Sequence, residues 1–269
     1  MLAAYFNSLH EAVNRRMALV LAGVAVLVAG TFCWIVQLTP LPDGTSMIFL
    51  GTNFLGPATL AVPSVFGAEI QQTGVLWLLL AIFAAAPLLT SALEKGWIEL
   101  TLSKGTSRWK IFLGRFLGGV TLYFVTFLLA TFPVALRLWW KTGVGPGPLA
   151  IALLIQTLSF AALLSVVALA TLPQKGMALP VMAAVAVWFF SPSLARRQQS
   201  YYSFFTSHAS RGILEWIYRI LPKCSELESM CFAYIHDGKI ATWWPFWSTG
   251  IFAAAMLGLT FCLLQRKSF

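Results

Sequence analysis

Residues 17–38 run for 22 positions without a charged side chain, and no other feature constrains the fold so tightly. A helix of about 20 apolar residues crosses the hydrocarbon core of a bilayer, where each backbone N–H and C=O must be paired within the protein. Comparable runs recur at 74–92, 111–136, 149–172, 177–191 and 243–264, so six spans are expected. The fifth is the weakest, because Pro180 interrupts it; a kinked or tilted helix is expected there. Composition points the same way. Of 269 residues 59% are apolar and only 10% charged, with a mean hydropathy of +0.80. A soluble domain carries about 25% charged residues, because its surface faces water. The same figures exclude a disordered chain, a coiled coil and a disulfide-rich secreted domain. The net charge of +9 is no nucleic-acid signature here. Cations of polytopic proteins gather in cytoplasmic loops and at anionic headgroups.

The stretch 47–66 is apolar enough to resemble a seventh span, but it contains Gly51, Asn53, Gly56, Pro57 and Pro63, which break a regular helix. Charge asymmetry decides. With six spans and the N-terminus inside, segments 1–16, 93–110, 173–176 and 265–269 are cytoplasmic. They hold Arg15, Arg16, Lys95, Lys104, Arg108, Lys110, Lys175, Arg266 and Lys267. Arg115 can snorkel to the same side. The short outer loops hold only Arg137 and Lys141. A seventh span would put 93–110 outside, so 39–72 is read as an outer or re-entrant loop. No cleavable signal peptide is expected.

The two ends fit this layout. Leu2, Tyr5, Phe6, Leu9 and Val13 recur at helical spacing opposite Asn7, His10, Glu11, Asn14 and Arg15. That pattern predicts an amphipathic interfacial helix over 1–16. Trp243, Trp244, Phe246 and Trp247 form an aromatic belt at the mouth of the last span.

The spans carry almost no ionisable groups, whereas ion-coupled transporters bind and release an ion on Asp, Glu, His or Arg within the bilayer. Gln156 is the main polar residue deep in a span and reads as an interhelical hydrogen-bonding group. There is no phosphate-cradling G-x-x-x-x-G-K-[ST] loop. Gly143-Val144-Gly145-Pro146-Gly147 reads as a turn. No catalytic residue is assigned.

Between the second and third spans, residues 91–118 form a compact charged segment with a turn at Gly105. It suits docking into another protein's groove, or is a solvated connector. The segment resembles the motif of ABC-type-2 exporter permeases. The matching positions are Glu94, Gly96, Glu99, Leu100 and Leu102, then Ser103, Ser107 and Arg108, then Leu113, Gly114, Arg115, Leu117 and Gly118. Lys104-Gly105 departs from the family's proline at the turn. The resemblance implies that residues 93–110 form a cytoplasmic coupling helix-turn contacting a separate nucleotide-binding ATPase, through Glu94, Gly96, Glu99, Ser103, Gly105, Ser107 and Arg108. It implies a pair of six-span units, identical or homologous, with two ATPases that bind the ATP and Mg; this chain itself holds no cofactor.

The outer segment 193–242 carries the remaining signals. Ile213, Leu214, Trp216, Ile217 and Ile220 follow Tyr201, Tyr202, Phe204 and Phe205 in an amphipathic helical pattern. It reads as a lid or as a platform for an extracytoplasmic protein. Cys224 and Cys231, with His236 and Met230 nearby, admit a disulfide or a soft-metal site. Cys33 and Cys262 read as packing residues within spans.

The expected fold is therefore an all-α integral membrane protein. It comprises an interfacial helix (1–16), spans one to five with the coupling segment (17–192), the outer segment (193–242), and span six with a cytoplasmic tail (243–269). The expected function is that of a non-catalytic, multi-pass permease of a bacterial inner membrane with both termini cytoplasmic. ATP hydrolysis in a partner would move an apolar substrate or act mechanically on an extracytoplasmic protein, with no nucleic acid involved. The alternative is a membrane thiol oxidoreductase or metal-handling protein using Cys224 and Cys231.

Overall fold

The structure, a computed structural model, describes residues 2–14, 16–41, 44–49, 52–56, 58–91, 107–143, 145–173, 176–197, 208–240 and 242–266. Among these residues the chain is predominantly helical. The helices are α1 (Leu2–Asn14), α2 (Met17–Ile35), α3 (Ala58–Thr90), α4 (Arg108–Thr142), α5 (Gly147–Ala170), α6 (Ala178–Ala195), α7 (His208–Ile220), α8 (Cys224–Asp237) and α9 (Trp244–Arg266). Six of them, α2 to α6 and α9, are long and apolar enough to cross a membrane.

The departure from an all-helical chain lies between α2 and α3. Strands β1 (Val36–Leu41), β2 (Gly44–Phe49) and β3 (Thr52–Gly56) form an antiparallel meander, with Val36 opposite Phe49 and Thr45 opposite Gly56. The expected loop over 39–72 is thus corrected in two ways. Its first part is sheet, and its second part belongs to α3, which continues through Pro63 and Gly67. Pro63 is the sixth residue of α3, so it removes one intrahelical donor just past the first turn, and the helix continues through it. Pro180 is more favourably placed. It is the third residue of α6, inside the first turn, and the helix runs on through residue 195 without the expected interruption. Gly143 ends α4 in the left-handed conformation (φ 73°), and its N–H bonds to the Trp139 carbonyl at 2.8 Å, as the glycine-rich turn predicts.

The long helices α3 and α4 have 33 and 35 residues. At 1.5 Å per residue they reach about 50 Å, well beyond a hydrocarbon core of about 30 Å. They run antiparallel, with Trp77 Nε1 donating to Thr126 Oγ1 at 3.3 Å. The core lies where α3, α4 and α5 meet. Tyr123 stacks on Phe160 at 4.3 Å and on Phe127 at 5.5 Å, all three fully buried. Trp109 at the start of α4 meets Phe261 near the end of α9 at 4.8 Å, so the last helix finishes at the end of the bundle where α1 lies.

The opposite end holds a helix the apolar pattern did not single out. In α8, Cys224, Leu227, Met230, Cys231 and Ile235 are buried, and the helix packs among α3, α5 and α6. Exposed Cys262 on α9 faces away from the protein, so it is not the packing residue expected.

Candidate functional site

At the α1 end, three helices are pinned by one guanidinium. Arg115 on α4 is 1% exposed. Its Nη2 lies 3.0 Å from Glu11 Oε2 on α1, and its Nη1 donates to the Leu88 carbonyl at 2.7 Å and to Ser91 Oγ at the end of α3. Ser91 Oγ in turn donates to Glu11 Oε1 at 3.0 Å. The expected snorkelling of Arg115 toward water is therefore replaced by burial, which a cation tolerates only when paired and hydrogen-bonded.

The approach of α1 to α4 depends on small residues. A Cβ at Gly114 would meet Ala4 Cβ and the Tyr5 backbone N at 2.9 Å, and one at Gly118 would overlap the Ser8 hydroxyl. Tyr5 OH donates to Thr121 Oγ1 at 3.2 Å. The buried stripe of α1 is Ser8 and Ala12, whereas Leu2, Phe6 and Val13 are exposed. Small residues four apart let two backbones close on one another, the packing used inside membranes. Of the apolar stripe of α1, Tyr5 meets α4, whereas Leu2, Phe6 and Val13 face away from the bundle.

Of the residues expected to contact an ATPase, Glu94, Gly96, Glu99, Ser103 and Gly105 lie outside the described residues. Ser107 is exposed and precedes α4 in extended conformation; Arg108 is the first residue of that helix. The Gly114, Arg115 and Gly118 positions that follow make the α1 contacts just described.

A second set of polar groups is buried in the bundle interior at separate positions. Glu69, Tyr123, Gln156 and Ser159 are all buried, and among the described residues Glu69 Oε1 and Oε2, Tyr123 OH and Gln156 Oε1 have no hydrogen-bond partner. A Cβ at Gly74 would lie 3.3 Å from Gln156 Nε2, which places that amide against α3. Glu69 corrects the expectation of spans almost free of ionisable groups. Assigned to a loop, it did not count as intramembrane; α3 carries it into an apolar helix with its carboxylate fully buried. A buried ionisable group in such a helix marks a site by default, because its desolvation is costly.

Cys224 and Cys231 are both free and stand seven residues apart on one helix. Seven residues of helix separate their Cα atoms by about 10 Å, beyond the ~7 Å reach of a disulfide. The bridge expected as one reading does not form. Burial, with Glu228 close by, pushes the Cys224 thiol up to about 12 and raises the Cys231 thiol as well, the reverse of an activated nucleophile. Cys231 Sγ instead sits 3.7 Å from the Ala152 carbonyl. Among the described residues no three His, Cys, Asp or Glu side chains converge as metal ligands.

A third cluster joins α6, α7, α8 and α9. Arg197 pairs with Glu215 through two bonds of 2.8 and 3.2 Å and lies 3.4 Å above the Tyr218 ring. Tyr218 OH donates to Glu226 Oε1 at 2.6 Å, and Lys223 Nζ donates to Ser248 Oγ at 2.9 Å. Burial lowers the Lys223 pKa, and burial together with the Glu226 hydrogen bond raises that of Tyr218 to about 12.

No protein-family model and no curated protein matches the chain.

Proposed function

We propose that this chain is the membrane-embedded permease of an ABC-type-2 exporter, coupling ATP hydrolysis by a separate subunit to movement of an apolar substrate or to mechanical action on an extracytoplasmic protein. The observation that carries the reading is the Glu11–Arg115–Ser91 pin. The segment 92–107 joins α3 to α4, and both its ends are tied through this pin to α1. A push on that segment is therefore delivered to three helices together, two of which reach across the whole bundle.

In this reading the N-terminal helix lies on the cytoplasmic leaflet with Leu2, Phe6 and Val13 against lipid, and a second permease copy or a homologue completes the transporter. ATPase closure presses on Glu94, Glu99, Ser107 and Arg108, and α3 and α4 carry the displacement to the far end. The test is co-purification of the full chain with its ATPase from native membranes. Reversing Glu99 and Arg108 together is expected to abolish ATPase association while membrane insertion persists. Normal recovery of the ATPase with the doubly reversed protein would overturn the assignment.

A further inference from the structure

Between α6 and α7 lies a cleft of about 420 Å³, whose lining includes Ala186, Val187, Phe190, Leu194, Leu214 and Ile217. Its volume falls within the ~300–1,000 Å³ of small-molecule sites. One wall is α6, apolar enough to cross a membrane. The other is α7, whose Ile213, Trp216, Ile217 and Ile220 are exposed side chains of its apolar face, while Glu215 and Tyr218 turn toward Arg197. A helix of this pattern lies in the plane of the interface with its apolar face in the acyl region. The cleft therefore opens toward lipid, and a smaller hollow beside Tyr218, Lys223 and Glu226 shares its Leu194 and Leu221.

We infer that this cleft seats one acyl chain of an anionic phospholipid, with the headgroup held at the cationic rim above α7. Charge complementarity selects the occupant. The described part of 196–226 holds Arg196, Arg197, Arg211, Arg219 and Lys223 against Glu215 and Glu226, five cations to two carboxylates, a surplus of three. Arg197 is already matched by Glu215, and Glu226 takes the Tyr218 hydroxyl. Arg196 and Arg219 stay exposed on the two elements that border the cleft. Interfacial cations attract anionic lipid headgroups. The site is independent of any ATPase, since it needs only a bilayer.

The test uses the purified full chain in nanodiscs of phosphatidylcholine doped with a photoreactive probe, a diazirine near the end of one acyl chain. One preparation carries the phosphatidylglycerol form of the probe and the other the phosphatidylcholine form. Cross-links are expected to concentrate on the peptides holding Phe190 and Leu214, several-fold more with the phosphatidylglycerol probe. Leu214→Trp, which fills the cleft, should reduce them several-fold. Arg196→Gln with Arg219→Gln should remove the phosphatidylglycerol preference while the monodisperse protein is retained. Cross-links spread equally over the exposed faces of α2 and α9, or unchanged by Leu214→Trp, would overturn the seat. Equal labelling of the cleft by both probes would overturn the anionic occupant.

Discussion

Arg115 and Glu11 are 104 positions apart in sequence, yet their Nη2 and Oε2 atoms lie 3.0 Å apart, joining the first helix to the fourth. Because the guanidinium is buried, removing either partner leaves an uncompensated charge, a loss of about 3–5 kcal/mol for such pairs. Glu11→Ala and Arg115→Ala are each expected to lower the unfolding temperature of the purified protein. The double variant should lose clearly less than the two losses added together. A double-mutant cycle in which the losses simply add would refute the pairing.

Gly118 and Gly30 make a matched comparison. A side chain at Gly118 collides with Ser8, whereas nothing lies within 4 Å of a Cβ at Gly30. Gly118→Leu should therefore lift α1 from α4, at a cost of about 1–3 kcal/mol for overpacking, and Gly30→Leu should not. The readout is maleimide labelling of a Ser8→Cys reporter, which is expected to react only in the Gly118→Leu background.

Replacing Glu69 by Leu deletes a buried carboxylate whose oxygens have no hydrogen-bond partner among the described residues. The variant should gain on the order of 1–3 kcal/mol, the desolvation penalty of an unsatisfied polar group. Thermal unfolding of the two proteins side by side measures it. A less stable Leu variant would mean that the carboxylate is held by a partner in the native membrane.

Cys224 gives a pH signature with a definite sign. Its thiol is raised from 9.0 to about 12 by burial. The folded state therefore binds this proton more tightly than the unfolded state does, and the resulting stability is complete below about pH 9 and lost as pH rises toward 12. Cys224→Ala should flatten the fall in stability over that window and leave the curve below pH 8 unchanged in shape. An identical alkaline slope in both proteins would contradict the burial.

Lys110 and Lys141 mark the two ends of α4. Introduced cysteines at these positions should react with a membrane-impermeant maleimide from opposite sides in sealed vesicles. Labelling of both from the same side would remove α4 from the set of crossing helices.

The six long helices are legible in the sequence because an uninterrupted apolar run of span length has one economical solution in lipid. The start of α3 is not, since Pro63 and Gly67 punctuate the run, and a proline near a helix start looks the same in sequence as one that ends a helix. Misplacing that boundary hides Glu69. For α1 the helix itself is legible but its binding face is not. Hydrophobic spacing selects Leu2, Phe6 and Val13, while packing in a membrane rewards closeness, so Ala4 and Ser8 meet Gly114 and Gly118 instead. The spacing of those small residues is visible once sought. The same holds for α8, where Cys224, Leu227, Cys231 and Ile235 follow a helical period that the paired cysteines drew attention away from.

The position of α8 sets an order of assembly. The pin of Glu11, Ser91 and Arg115 is built wholly from the first half of the chain, so that clamp can form while later spans are still being synthesised. The other end cannot. The space among α3, α5 and α6 stays open until residues 224–237 emerge and fold back between helices made long before. A chain interrupted between residues 171 and 223 would hold the Glu11–Ser91–Arg115 clamp at one end and, at the other, Gly67 and Ala152 surfaces left without the α8 residues Phe232 and Cys231 that cover them, so a truncated product differs from a complete one at that end.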